Sequence, residues 1–151
     1  YGGLYQWDEI MRHATQQGIR GICPPGWHLP TDEEWKVLEG AVDSQYGIGD
    51  PLWDHYQAYR GYDAGMNLKT VSGWRSNGNG VDLFGFSGLP GGSLYGISDF
   101  MDIGFSGFWW TSTQYGSNIS WYRVINFDSP KITRYFFNKL SAFSVRCIRD
   151  Y

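Results

Sequence analysis

The chain has 151 residues, a formal net charge of −3 and an aromatic content of 19%, the size of one domain with no room for a second. Its 28 Trp, Tyr and Phe residues outnumber Leu, Ile and Val together, which excludes intrinsic disorder. The absence of any basic run argues against nucleic acid or an anionic membrane as partner, and no stretch approaches the roughly 18 apolar residues of a membrane span.

In chain order, Leu4, Trp7, Ile10, Met11 and Ala14 recur at helical spacing, which predicts a helix over 4–17 stopped by Gly18. Cys23-Pro24-Pro25-Gly26-Trp27-His28-Leu29-Pro30 is a rigid turn that cannot be helical. Thr31 and Glu34 then form a capping box ahead of the apolar stripe Trp35, Leu38 and Val42, predicting a helix over 31–45. Residues 40–106 hold 14 of the 21 glycines and only short apolar pieces. A structureless stretch of that length is unusual, so 47–106 is expected to be irregular yet ordered, with Trp53, Trp74, Phe84, Phe86 and Leu89 buried. No glycine follows Gly116, and 119–128, 131–139 and 142–149 read as three β-strands, with 108–113 as a fourth. The expected class is α+β, a single domain over 1–151 with two helices flanking a small twisted antiparallel sheet.

The residues offer few chemistries. Cys23 and Cys147 lie 124 positions apart without metal-ligand spacing, so a zinc site is not expected. They are either two separate buried thiols or one disulfide, which would place the protein outside the cytoplasm. His28 sits in a turn where a structural hydrogen bond is expected, and His55 beside Asp54 has no nucleophile to serve. Asp32, Glu33 and Glu34 fit the first turn of a helix, where acidic residues complement the dipole. Asn77-Gly78-Asn79-Gly80 lacks the Lys-Ser/Thr of a phosphate loop and is read as a turn. No signal peptide is visible, and the opening Tyr1-Gly2-Gly3 is compatible with an export signal already removed or lying outside this chain.

A family resemblance spans nearly the whole chain in order. Tyr5-x-Trp7 followed by Cys23-Pro24-Pro25-Gly26-Trp27-His28-Leu29-Pro30-Thr31-Asp32-x-Glu34-Trp35 resembles the opening of the Fibrobacter succinogenes major paralogous domain. Leu68-Lys69-x-x-x-Gly73-Trp74, the run Gly85 to Gly92, Gly107 to Thr113, Trp121-Tyr122-Arg123, Asn138-Lys139 and Phe143 to Asp150 continue the likeness. The resemblance implies a C-type-lectin-like fold, related to that of the formylglycine-generating sulfatase-modifying factors. It also implies pairing of Cys23 with Cys147, and an extracytoplasmic bacterial surface or secreted protein, often a lipoprotein or one piece of a larger or lipid-anchored parent. Formylglycine-generating enzymes hold copper with two cysteines. Val145-Arg146-Cys147 resembles the second of these segments, but the preceding strand Thr133 to Lys139 has no cysteine, so that oxidase activity is not expected. The calcium triplets of sugar-binding C-type lectins are also missing, since Trp121 is followed by Tyr122-Arg123.

The resulting expectation is a non-enzymatic domain without cofactor or metal, binding a glycan or protein at the cell surface independently of calcium. Its candidate contact residues are Tyr115, Asn118, Tyr122, Arg134, Tyr135 and Asn138 on the meander, with Trp109, Trp110 and Trp121 in the core. Strand alternation turns Tyr122 outward if Trp121 points in. Three alternatives remain: an assembly module of a surface filament or lipoprotein, a retroelement-diversified binding protein (for which the Asn residues are sparse), and a sulfatase-modifying-factor-like enzyme. The sequon Asn118-Ile119-Ser120 matters only in a eukaryotic secretory host.

Overall fold

The computed structural model describes residues 1–96 and 98–151. The chain is α+β and mostly sheet. It runs β1 (Tyr5–Gln6), α1 (Trp7–Ile10), β2 (Trp27–His28), α2 (Asp32–Val42), a 3-10 turn (Pro51–Asp54), β3 (Tyr59–Arg60) and α3 (Ala64–Leu68). There follow β4 (Ser93–Tyr95), β5 (Asp99–Met101), β6 (Ser106–Gln114), β7 (Ile119–Asn126), β8 (Ile132–Asn138), β9 (Ala142–Phe143) and β10 (Ile148–Arg149). The strands form two four-stranded sheets, ordered β3-β8-β7-β6 and β1-β9-β4-β5, and the pair β10-β2.

The meander β6-β7-β8 is the sheet read from the sequence, antiparallel with Trp110 opposite Tyr122 and Tyr122 opposite Tyr135. The expected last strand 142–149 is not part of it. Phe143 and Ala142 pair with Tyr5 and Gln6, and Ile148 and Arg149 pair with His28 and Trp27. The chain leaves the meander because Ser144 bridges Trp109 in parallel and Cys147 is bonded to Cys23. The stretch is therefore divided between the two other sheets.

The second helix forms nearly as read: the Thr31 hydroxyl accepts from the Glu34 N–H at 3.2 Å, and Glu34 bonds back to the Thr31 N–H at 2.8 Å. The first is a single turn. Its apolar spacing is real, with Trp7, Ile10 and Met11 fully buried. However, Tyr5 and Gln6 spend their backbone on β9, and Arg12 and His13 take left-handed φ of 50° and 62°, which ends the turn.

Cores lie on both faces of the meander. Trp7, Ile10, Leu29, Phe108, Trp110, Tyr122, Val124 and Phe143 pack on one side. On the other, Trp35, Trp53, Leu68, Trp74, Trp109, Ile125 and Ile132 pack under α2 and α3. Gly107 is where the sheets approach: a Cβ there would meet the Trp109 ring at 2.4 Å and the Leu89 carbonyl at 2.6 Å. In the glycine-rich middle, Trp53 and Trp74 are buried and Phe86 is half-buried. Phe84 and Leu89 are exposed, contrary to expectation; Phe84 stands on a turn closed by Ser87, whose N–H and hydroxyl donate to the Asp82 carboxylate.

Cys23 and Cys147 form a disulfide with Cα atoms 6.0 Å apart, beside the buried face of Leu29. Thiol titration of the denatured, unreduced protein should detect no free thiol. Replacing both cysteines with serine should lower unfolding free energy by up to about 4–5 kcal/mol, read from denaturant midpoints, because the bond restrains a loop of 124 residues.

Candidate functional site

The hairpin end of the meander presents an aromatic patch. After β6, Tyr115 and Gly116 both donate backbone N–H to the Ile119 carbonyl at 3.1 Å, closing a turn that turns Tyr115 back over β8. The Tyr115 ring stacks on Phe136 at 4.2 Å, nearly parallel, and Phe136 stacks on Tyr135 at 4.9 Å. Tyr56, from the segment before β3, meets Trp121 edge-on at 5.6 Å and lies 6.0 Å from Phe136. Tyr56 and Tyr115 are 44% and 49% exposed, so the patch faces solvent. Around it lie Gln57, whose Nε2 reaches the Tyr135 hydroxyl, and the exposed Asn118 and Asn138. Asn118 accepts from the Lys139 N–H through its carbonyl, and Asn138 Oδ1 accepts from the Leu140 N–H at 2.9 Å.

Of the six residues expected there, Tyr115, Asn118, Tyr135 and Asn138 are together at this surface. Tyr122 and Arg134 are not. Tyr122 is 8% exposed although Trp121 is also buried, because both faces of β7 are covered and alternation chooses between two cores rather than between core and water. Burial pushes its phenol well above the ordinary range. Arg134 lies inward over the Trp121 ring, 3.7 Å from its centre.

Arg134 ends a buried ionic chain. Asp32 accepts from Arg134 Nη2 at 2.7 Å and Nε at 3.0 Å, and from Arg123 Nη1 at 2.7 Å. Arg123 Nε donates to Glu39, which also accepts from Arg60 Nη2 at 2.7 Å, and Arg60 donates onward to the Trp53 carbonyl. Burial alone would raise the Asp32 carboxyl, but the charges and hydrogen bonds of Arg123 and Arg134 prevail and hold it below the usual range. Burial pushes Arg60 down to about 10, against the pull of Glu39. The reading of Asp32 as a helix-dipole residue is therefore incomplete. Glu39, Arg60 and Arg123 were missed, although one signal was present: Asp32 and Glu39 share the inner stripe of α2 with Trp35 and Val42. Glu39→Gln should destabilise the fold by about 3 kcal/mol, because it strands two buried guanidinium groups. Glu33→Gln, at an exposed carboxylate paired with Lys36, should change unfolding free energy by less than about 1 kcal/mol in the same assay.

Residues 1–149 match the family model of the Fibrobacter succinogenes major domain. The chain belongs to that family. None of the curated proteins and none of the solved structures matches it. In this Fibrobacter succinogenes major domain, the segments that carry the likeness build the framework. They supply both cysteines, the α2 cap, the ion-paired Asp32 and Arg123, and the buried Lys69, whose ammonium donates to the carbonyls of Asn126, Phe127 and Ser129. Tyr56, Tyr115, Tyr135 and Phe136 lie outside those segments.

His28 belongs to the framework as well, with the structural role expected of it. Its Nδ1 lies 2.6 Å from Asp150 and its Nε2 2.8 Å from Glu34, tying β2 and α2 to the end of the chain. Burial lowers its pKa, but the bonds and charges of the two carboxylates outweigh this, leaving it above the ordinary 6.5. The imidazolium therefore adds stability that is fully present below 6.5 and is lost as pH rises through the raised folded value. Denaturant midpoints measured across that window should fall with pH, and His28→Gln should flatten the fall.

Proposed function

We propose that this domain is a non-enzymatic, calcium-independent binding module of an extracytoplasmic protein, and that the Tyr56–Tyr115–Tyr135–Phe136 patch is its contact face for a surface glycan or protein. The observation that carries this reading is the patch itself. Four stacked or edge-packed rings stand at the surface, already ordered by Trp121 beneath them, so contact immobilises little further side-chain entropy. Planar polar groups at its rim, Asn118, Asn138 and Gln57, supply hydrogen bonds for specificity.

Two further features support parts of the reading. The disulfide suits an oxidising compartment. It also occupies Cys147, so the segment resembling a formylglycine-generating site offers no thiolate, and no free cysteine occurs among the described residues. Among those residues no helix is long and apolar enough to cross a membrane. The pairing of β1 with β9 and of β2 with β10, which closes the two ends of the chain on each other, supports the lectin-like arrangement implied by the resemblance.

A glycan array and a surface-protein panel, each run in chelator, test the proposal. Ligand retained by the native domain should bind Tyr56→Ala/Tyr115→Ala about thirtyfold more weakly, since two aromatic contacts contribute on the order of 1 kcal/mol each. Far-ultraviolet circular dichroism should stay unchanged, because both rings are nearly half exposed. Undiminished binding by the folded variant, or turnover of a retained ligand, contradicts the reading.

A further inference from the structure

A recess lies at the opposite end of β6 and β7 from the patch, where Ser106 faces Asn126. It is an open cleft of about 580 Å³ whose floor is formed by Phe108 and Val124, within the range of roughly 300–1,000 Å³ for small-ligand sites. None of the residues lining the cleft belongs to the aromatic patch built over Trp121, so the two are separate.

Its polar groups are pre-oriented. Ser106 Oγ donates to Asn126 Oδ1 at 2.7 Å, and Asn126 Nδ2 donates to the Tyr59 hydroxyl oxygen at 3.1 Å. This relay fixes the amide and leaves the Tyr59 O–H and the second Asn126 N–H free to donate. Asp102 and Asp128 stand exposed at the margin, and among the described residues neither carboxylate accepts a hydrogen bond or forms an ion pair within 4 Å. One wall is apolar: Phe105 and Phe127 meet edge to face at 5.3 Å.

Two cations border the cleft. The Arg75 guanidinium lies 5.4 Å over the Phe105 ring, and the buried Lys69 ammonium, held by three carbonyls of 126–129, is attracted to Asp128. Two carboxylates facing the cleft repel an anion, and the two cations against its lining, Arg75 over Phe105 and Lys69 on the 126–129 carbonyls, disfavour a second cation. What remains is a neutral molecule that can both donate and accept hydrogen bonds around an apolar face. A pyranose ring has that composition: hydroxyl groups of both roles at its edge, and C–H groups able to lie on Phe105, Phe127 or the Tyr59 ring. We propose that this cleft binds the ring of a neutral hexopyranose without a metal ion, with Asp102 and Asp128 accepting from its hydroxyls and Tyr59 and Asn126 donating to them. This site is independent of the contact face proposed above.

The test is a nitrogen-15 NMR titration of the full chain in chelator. The probes are the methyl glycosides of glucose, mannose, galactose and N-acetylglucosamine, with glucuronate and glucosamine as charged controls. At least one neutral glycoside should shift the Asn126 side-chain and Asp128 backbone signals with a Kd on the order of 1 mM. Tyr59→Phe/Asp102→Asn, which removes one donor and one charge from exposed positions, should weaken that binding about tenfold while preserving the spectrum elsewhere. Tyr115→Ala should leave it unchanged. The proposal is overturned if no neutral glycoside moves these signals or if a charged sugar binds as well or better. It is likewise overturned if binding appears only when calcium replaces chelator, or if the Tyr59/Asp102 variant keeps native affinity. Shifts confined to Tyr115 and Tyr135 would place the sugar on the aromatic patch instead and count equally against the cleft.

Discussion

The ionic chain beneath α2 is the constraint on which the rest of the arrangement turns. Three guanidinium groups and two carboxylates, Arg60, Glu39, Arg123, Asp32 and Arg134, are all at most 7% exposed. Removing each from water costs several kcal/mol, and attraction offsets this only where geometry and hydrogen bonding are nearly complete. Here they are: Asp32 alone receives both Arg123 and Arg134, and each guanidinium also lies over a tryptophan, Trp53, Trp35 or Trp121. The residual cost falls on Arg60, whose Nε has no partner among the described residues, in keeping with its depressed pKa. An apolar stripe would let α2 slide on the sheet. Two carboxylates seven residues apart, facing arginines on β3, β7 and β8, admit one register.

The glycine-rich middle is ordered by the same device on a smaller scale. Loops without a ladder leave backbone groups unpaired, and side chains must satisfy them. The Asp43 carboxylate, at the end of α2, accepts from the backbone N–H groups of Gln45, Tyr46, Tyr62, Asp63 and Ala64. Burial would raise this carboxyl, but those five bonds hold it below the usual range. Lys69 does the converse for three carbonyls, and Lys139 bonds the Ser117 carbonyl while lying 4.0 Å over the Trp7 ring. Charged side chains thus replace secondary structure as the partners of irregular backbone.

The framework residues and those of the two proposed sites are largely different sets. The cysteines, the helix cap, His28 and the buried charges must be fixed for the chain to fold, and they lie inside or between elements. The aromatic patch and the polar cleft lie at opposite ends of β6 and β7, and Tyr56, Tyr115, Tyr59, Asp102 and Asp128 there are exposed.

The α+β class, the capped helix at Thr31, the three-stranded meander and the burial of Trp109, Trp110 and Trp121 were legible in the sequence, because each rests on short-range periodicity or on an aromatic core that a chain poor in aliphatics must build. The one-turn length of α1, the division of 142–149 between two sheets, and the inward turn of Tyr122 and Arg134 were not. Each depends on a partner far along the chain: β9 for Tyr5, Cys23 for Cys147, Phe143 for Tyr122 and Asp32 for Arg134. Alternation along a strand determines that neighbouring side chains point opposite ways. Whether the outward face meets water or a second core is decided only when another sheet packs upon it.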